Sequence, residues 1–215
     1  MQLTRILDVA LSSPAKVKLL RRLVLDSTPL SGRALAREIQ MSHAQVLQVL
    51  EELRLHGLVR LERIGRAHVY SAQQNALVVA ELLVPLFRGE RDLAAETARR
   101  VAAAVRTPAL AVAMFGSVAK QVDHPESDLD LAFVVRDAAA RRSMEEELMG
   151  DVAAVAASLG VRLGSYVITQ AELRTRYTAR DRFTRELTGT ARRVAGKTLL
   201  EVISSGAQKV QDAGA

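Results

Sequence analysis

An α+β fold in two parts is what this chain predicts, and three observations carry the prediction. Residues 1–74 read as short helices closed by one β-hairpin. Residues 107–204 read as apolar strand-like runs separated by helical ones, the order of a small mixed sheet covered by helices. Residues 75–106 between them read as helical linkers, and 205–215 as a small, polar, flexible tail. A length of 215 residues suits one large or two small domains, and a hydrophobic content of 49% is enough for real cores.

The elements follow in order. Met1 to Leu11 is a short amphipathic lead. Ser13-Pro14 opens a helix with proline at its first position. Val17, Leu19, Leu20, Leu23 and Val24 form its apolar face, and Lys16, Lys18, Arg21 and Arg22 are placed outward. Asp26-Ser27-Thr28-Pro29 ends it. Ser31 caps a second helix with Leu35 and Ile39 inward. Ser42 caps a third, with Val46, Leu50 and Leu53 inward and Gly57 as its stop. Leu58–Arg63 and Ala67–Ala72 alternate around Ile64-Gly65-Arg66, a hairpin signal.

Asn75 caps an apolar helix that contains Pro85; Gly89 interrupts it, and Arg91–Arg106 forms a second. After Thr107-Pro108, Ala109–Phe115 is an apolar strand ending at Gly116-Ser117. A short helix and a loop lead to Asp128-Leu129-Asp130 and a second apolar run through Val135. Arg141–Leu159 reads as one helix with Glu145-Glu146-Glu147 on a solvated face, Val161–Thr169 as a third strand, and Gln170 as a helix start with Glu172 as its N-terminal charge. Asp181–Val194 and Lys197–Ile203 complete the helices.

Composition narrows the function classes. The net charge of +6 and the high isoelectric point favour an anionic partner. Residues 1–88 hold 12 Lys/Arg against 7 Asp/Glu, and residues 89–215 hold 18 against 17, so the cationic excess sits on the N-terminal part. The absence of cysteine excludes disulfides and thiol chemistry. Aromatics are only 3% and tryptophan is absent, so the cores are Leu, Val and Ala. No apolar run approaches the roughly 20 residues of a membrane helix, and Met1–Ala10 lacks a signal-peptide apolar region. A soluble, cytoplasmic protein without a membrane partner is expected.

The chemistry concentrates at residues 109–135. Alternation along a strand points Asp128 and Asp130 the same way and Leu129 and Leu131 into the core. Two adjacent carboxylates repel unless a cation lies between them, and a hard divalent cation takes such oxygens together with phosphate oxygens. Gly116 permits close approach of backbone to a ligand, and a helix opening at Ser117 aims N–H groups at an anion.

Gly116-Ser117, ten residues, then Asp128-Leu129-Asp130 with apolar flanks resembles the nucleotidyltransferases of the DNA polymerase β superfamily, most of all their minimal branch. The resemblance spans roughly Arg91 to Leu200. It implies attack of an acceptor hydroxyl on the α-phosphate of a nucleoside triphosphate, with Asp128 and Asp130 as the catalytic and metal-holding pair for Mg²⁺ or Mn²⁺. Gly116 and Ser117 would hold phosphate, and Lys120 either adds a charge to the phosphate tail or is a solvated lysine. The family's catalytic members usually place a third carboxylate on the neighbouring strand. Val161–Ile168 contains no acid, with Arg162 or Gly164 at that place, and Gln121 stands where the family often has glycine.

Residues 5–72, with Leu50-x-x-Leu53-x-x-x-Gly57-Leu58-Val59, resemble winged helix-turn-helix regulators of the MarR and ArsR kind. That implies double-stranded DNA as a partner, with Ser42, His43, Gln45 and Gln48 toward the major groove and Arg60, Arg63 and Arg66 along the backbone. It also implies a homodimer on paired half-sites. Two functions stay open: a DNA-binding nucleotidyltransferase acting on an RNA, a small molecule or a cognate toxin-like protein, and a transcription regulator whose nucleotidyltransferase-like part only senses nucleotide.

Overall fold

The computed structural model describes residues 4–205, and the expected tail lies from residue 206 on outside them. The fold is α+β with two small sheets. The chain divides into two compact units, Met1–Asp92 and Leu93–Ala215.

In the first unit α1 (Ile6–Ala10) and α2 (Pro14–Leu25) precede a two-residue strand β1 (Leu30–Ser31), α3 (Gly32–Glu38), α4 (His43–Leu55) and the hairpin β2 (Val59–Ile64) and β3 (Ala67–Ala72). The hydroxyls of Ser13, Ser31 and Ser42 each accept a hydrogen bond from a backbone N–H three residues on, as expected of N-caps. Such caps are worth about 1 kcal/mol each. Gly57 ends α4 in the left-handed region with φ +74°. The sheet order is β1-β3-β2, all antiparallel. Leu19, Leu20, Leu23, Leu35, Val46, Leu50, Leu53 and Leu58 are fully buried and make one core.

Three features depart from the pattern. Lys16 is buried, not outward: its Nζ donates to Glu52 Oε1 at 2.5 Å and to Ser12 Oγ at 3.0 Å. Its aliphatic stem enters the core while the ammonium finds a carboxylate on α4. β1 has only two residues, too few to show periodicity, and exists because β3 offers it partners at Tyr70 and Val69. The two helices expected on either side of Gly89 are one run, a π-helical segment (Val78–Leu83) leading into α5 (Val84–Ala103). Pro85 has no N–H to donate. The wide turn before it, with Val84 N–H bonded five residues back to Val79, takes up the mismatch and lets the helix continue.

The second unit holds β4 (Ala111–Phe115), α6 (Gly116–Lys120), β5 (Leu129–Val135), α7 (Ala138–Met149), α8 (Asp151–Ser158), β6 (Leu163–Thr169), α9 (Gln170–Thr178), α10 (Arg182–Thr190), β7 (Arg192–Gly196) and α11 (Leu199–Ser204). The sheet order is β6-β5-β4-β7, with β5 and β6 parallel and the other pairs antiparallel. Leu131, Phe133 and Val135 pack one face against Met144, Leu148 and Val152. Ala132, Val134 and Ile168 pack the other against Leu173, Leu187 and Val202.

Here too the outcome differs in places. The helix expected over 141–159 starts earlier, where Asp137 caps α7, and breaks at Gly150. Glu147 is not merely solvated: it accepts bonds from the N–H groups of Arg106 and Thr107 and from the Thr107 hydroxyl. Burial is the largest single influence and would raise its carboxyl, but these contacts and the Arg106 charge together hold it below the usual range. The stretch expected to be helical to Val194 ends at Thr190, and Arg192–Gly196 becomes an edge strand on β4. Glu172 is the helix-terminal charge expected, reciprocating the Thr169 cap in a capping box.

Candidate functional site

The start of β5, beside the end of β4, assembles the acidic site. Asp130 pairs in register with Phe115 on one side and with Gly164 on the other. Its carboxylate fills a slot that exists only because both neighbours are glycine. A Cβ on Gly116 would stand 2.0 Å from Oδ2, and one on Gly164 2.3 Å from Oδ1. Gly116 also adopts φ +73°, which a side chain would strain. The turn into α6 follows at once, and no side chain caps that helix start.

Asp128 precedes the strand by one residue, and its negative charge reaches Asp130. Burial first, and the Asp128 charge second, hold the Asp130 carboxyl above the usual range. Asp130 thus lies against the glycine-serine turn, and Asp128 is near enough to Asp130 for its charge to be felt there. Asp128 also has a cation of its own: Arg162 Nε lies 2.9 Å from Oδ1. The loop carrying it is knit by His124 N–H to Ser127 Oγ at 3.0 Å and Ser127 N–H to the His124 carbonyl at 2.8 Å. Among the described residues no group of three or more His, Cys, Asp or Glu converges as a metal cage. The donor set is thus two carboxylates. That fits Mg²⁺, which is ordinarily bound through one or two carboxylates and completes its shell with phosphate and water. The charge strain on Asp130 points the same way.

Lys120 is committed to Glu186, Nζ to Oε1 at 2.5 Å, and this hydrogen bond lowers the Glu186 carboxyl. Gln121 keeps the left-handed backbone, φ +59°, that a glycine would take at no cost. One cluster escaped the sequence reading. Phe183 of α10 meets Phe115 and Tyr166 edge-on, with ring centroids 5.8 and 5.0 Å away, and Arg176 Nη1 donates to the Tyr166 hydroxyl at 3.3 Å. The alternation of Arg176, Tyr177, Arg180, Arg182, Phe183 and Arg185 was the signal that could have found it.

In the first unit, Ser42, His43, Gln45 and Gln48 are all exposed at the start of α4. The Ser42 hydroxyl donates to Gln45 Oε1 at 2.9 Å besides capping. Gly32 lets α3 approach α4 closely, since a Cβ there would stand 2.8 Å from Leu47. Arg60, Arg63 and Arg66 are exposed on and beside the hairpin. Arg60 pairs with Glu62, and Arg63 Nε donates to the Gly65 carbonyl at 3.1 Å. The α4 acids are both neutralised, Glu51 by Arg54 and Glu52 by Lys16.

No protein-family model matches the chain, and no curated protein does. Three solved structures are similar to parts of it. NolR from Sinorhizobium fredii shares 27% identity over 38% of this chain and 76% of its own, with a TM-score of 0.32. Rv0081 from M. tuberculosis shares 27% over 40% and 84%, TM-score 0.33. A toxin-antitoxin with AMP-PNP shares 15% over 55% and 88%, TM-score 0.34. Likeness of this degree decides neither fold nor function. Among the described residues no helix is long and apolar enough to cross a membrane.

Proposed function

We propose that the protein binds double-stranded DNA through its first unit and a magnesium–nucleoside triphosphate through its second, and that it transfers the nucleotidyl group to a hydroxyl of a protein, an RNA or a small molecule. The observation that carries the reading is the Asp130 carboxylate seated between Gly116 and Gly164, with Asp128 beside it and the uncapped turn at Ser117 next in the chain. A part-buried carboxylate repelled by a neighbouring acid gains most from a divalent cation.

In this reading Asp128 and Asp130 hold Mg²⁺, or Mn²⁺, which when bound neutralises charge developing on the phosphates. Gly116 and Ser117 offer backbone N–H groups and a hydroxyl to the phosphates, and Gly116 lets them come close. Transfer joins the acceptor oxygen to the α-phosphorus and breaks the bond to the β-phosphate, releasing pyrophosphate; the acceptor proton goes to solvent. Lys120 joins the phosphate site only by leaving Glu186. Ser42, His43, Gln45 and Gln48 face the major groove, and the hairpin arginines face phosphate.

Arg162 on Asp128 favours a second reading, in which the triphosphate is bound and sensed but not transferred. One experiment separates the two. With α-labelled triphosphate and Mg²⁺, the transferase reading expects label on an acceptor with wild type and none with Asp130→Asn. The sensing reading expects no label from wild type and a DNA affinity that changes with nucleotide. If wild type binds no triphosphate at all, both are wrong.

A further inference from the structure

The two acids of the site are treated unequally. Among the described residues the Asp130 carboxylate has no hydrogen-bond or ion-pair partner, whereas that of Asp128 is held by Arg162. The strand register puts the arginine there. Leu129 pairs with Leu163 in parallel, and Leu129 N–H bonds the Arg162 carbonyl at 2.8 Å, so residue 162 stands beside residue 128. The guanidinium reaches Asp128 with Nε and donates from Nη2 to the carbonyl of Glu126 in the loop that delivers Asp128. Both partners stay half in water, Arg162 at 68% and Asp128 at 48% side-chain exposure, so separating them costs little.

We infer that Arg162 is a resident counter-cation of the carboxylate pair. In the free protein it holds Asp128 against a divalent ion; a nucleoside triphosphate then brings the ion in and takes the guanidinium onto its own phosphate oxygens. The inference rests on the nucleotide-binding reading of the site. A guanidinium matches phosphate oxygens with two parallel N–H bonds, a stronger and more directional contact than the single one it makes with Asp128. Once it has moved, Asp128 and Asp130 both face the ion. The site thereby discriminates between a bare divalent cation, which must displace or endure the arginine, and the cation with triphosphate, which recruits it. A merely structural clamp on the 123–128 loop makes the opposite forecast, because loosening the loop would weaken the ion's site.

The full chain is titrated with Mn²⁺ alone, read by its electron paramagnetic resonance signal, and with Mn²⁺ plus a non-hydrolysable triphosphate. Arg162→Gln is expected to bind Mn²⁺ alone about tenfold more tightly, since a unit charge and a dication about 6 Å apart in water-like surroundings repel by about that factor. It is expected to bind the Mn²⁺–triphosphate several-fold more weakly. Arg162→Lys keeps the charge without the fork: Mn²⁺ alone should bind as to wild type, while triphosphate affinity still falls. Mn²⁺ affinity unchanged or weakened in Arg162→Gln overturns the inference; if that variant does not fold, undiminished triphosphate affinity in Arg162→Lys does so. Asp130→Asn isolates the underlying reading. If that variant binds Mn²⁺–triphosphate as well as wild type, the nucleotide site itself is misplaced, whatever Arg162 does.

Discussion

Gly164 is the residue on which the acidic site can be tested with least disturbance elsewhere. Its backbone is not in the left-handed region, so alanine there acts through volume alone. The added methyl would fall 2.3 Å from Asp130 Oδ1 and must push the carboxylate out of its slot. Gly164→Ala is therefore expected to cost about 1–3 kcal/mol of stability, the usual range for overpacking, and to abolish Mg²⁺-dependent triphosphate binding in calorimetry. Binding intact in a folded Gly164→Ala protein would show that Asp130 is not a ligand. Asp130 itself should behave in the opposite sense on stability. Burial raises its folded pKa above the unfolded value, so its favourable contribution is present at acid pH and is lost as pH rises through the folded pKa. At neutral pH the ionised form is a burden, and Asp130→Asn should melt higher than wild type at pH 7 and lose that advantage near pH 3. The glycine-serine turn and the acid pair were legible in the sequence because they lie within one short stretch. The sequence already put Arg162 or Gly164 on the strand beside the acids, but which of them meets which acid follows from the parallel register of β5 with β6, a pairing that local sequence does not encode.

At the scale of elements, the first unit was the more readable. Its helices α2, α3 and α4 begin at serine caps, and α2 and α4 end at Asp26 and Gly57, signals that act within a turn of their own position. What escaped were features decided from a distance. Lys16 is buried because Glu52, 36 residues on, receives its ammonium. β7 has no alternating pattern and is a strand because β4 offers it a backbone edge. Pro85 and Gly89 look like breaks, yet the π-helical turn and the packing of Phe87 in the core carry the helix through. The hairpin is the element whose function is open to a direct test. Arg63 and Arg66 stand exposed around its turn, with Gly65 at φ +61°. Replacing both by alanine leaves the core untouched and should lower the salt slope of DNA binding by about one unit for each lost phosphate contact, equally for all sequences. Gln45→Ala and Gln48→Ala should instead flatten sequence preference with the slope retained. A salt slope unchanged in Arg63→Ala/Arg66→Ala would remove the hairpin from the DNA interface.

For the whole molecule the open quantity is the number of copies. The DNA-reading residues proposed on one chain are few, and the start of α4 carries no arginine or lysine before Arg54 to anchor a base. A single copy would therefore bind weakly and with little selectivity, whereas two copies on paired half-sites would gain the second contact at high effective concentration. The first unit also leaves apolar surface for such a pairing. Leu82 and Leu86, about one helical turn apart, stay 47% and 46% exposed, and Leu77 is 75% exposed. Leu82→Glu/Leu86→Glu places charges where a second copy would have to desolvate them, at almost no cost to the isolated fold, since surface substitutions usually stay within about 0.5 kcal/mol. Wild type is expected to sediment as a dimer at micromolar concentration and the double variant as a monomer. On a palindromic site the variant should lose about a hundredfold in affinity, the lower end of what linking two binding events supplies, while on a single half-site it should match wild type. A wild-type protein that sediments as a monomer while it holds a palindromic site at full affinity would dispose of the paired-copy reading and leave each chain to recognise DNA alone.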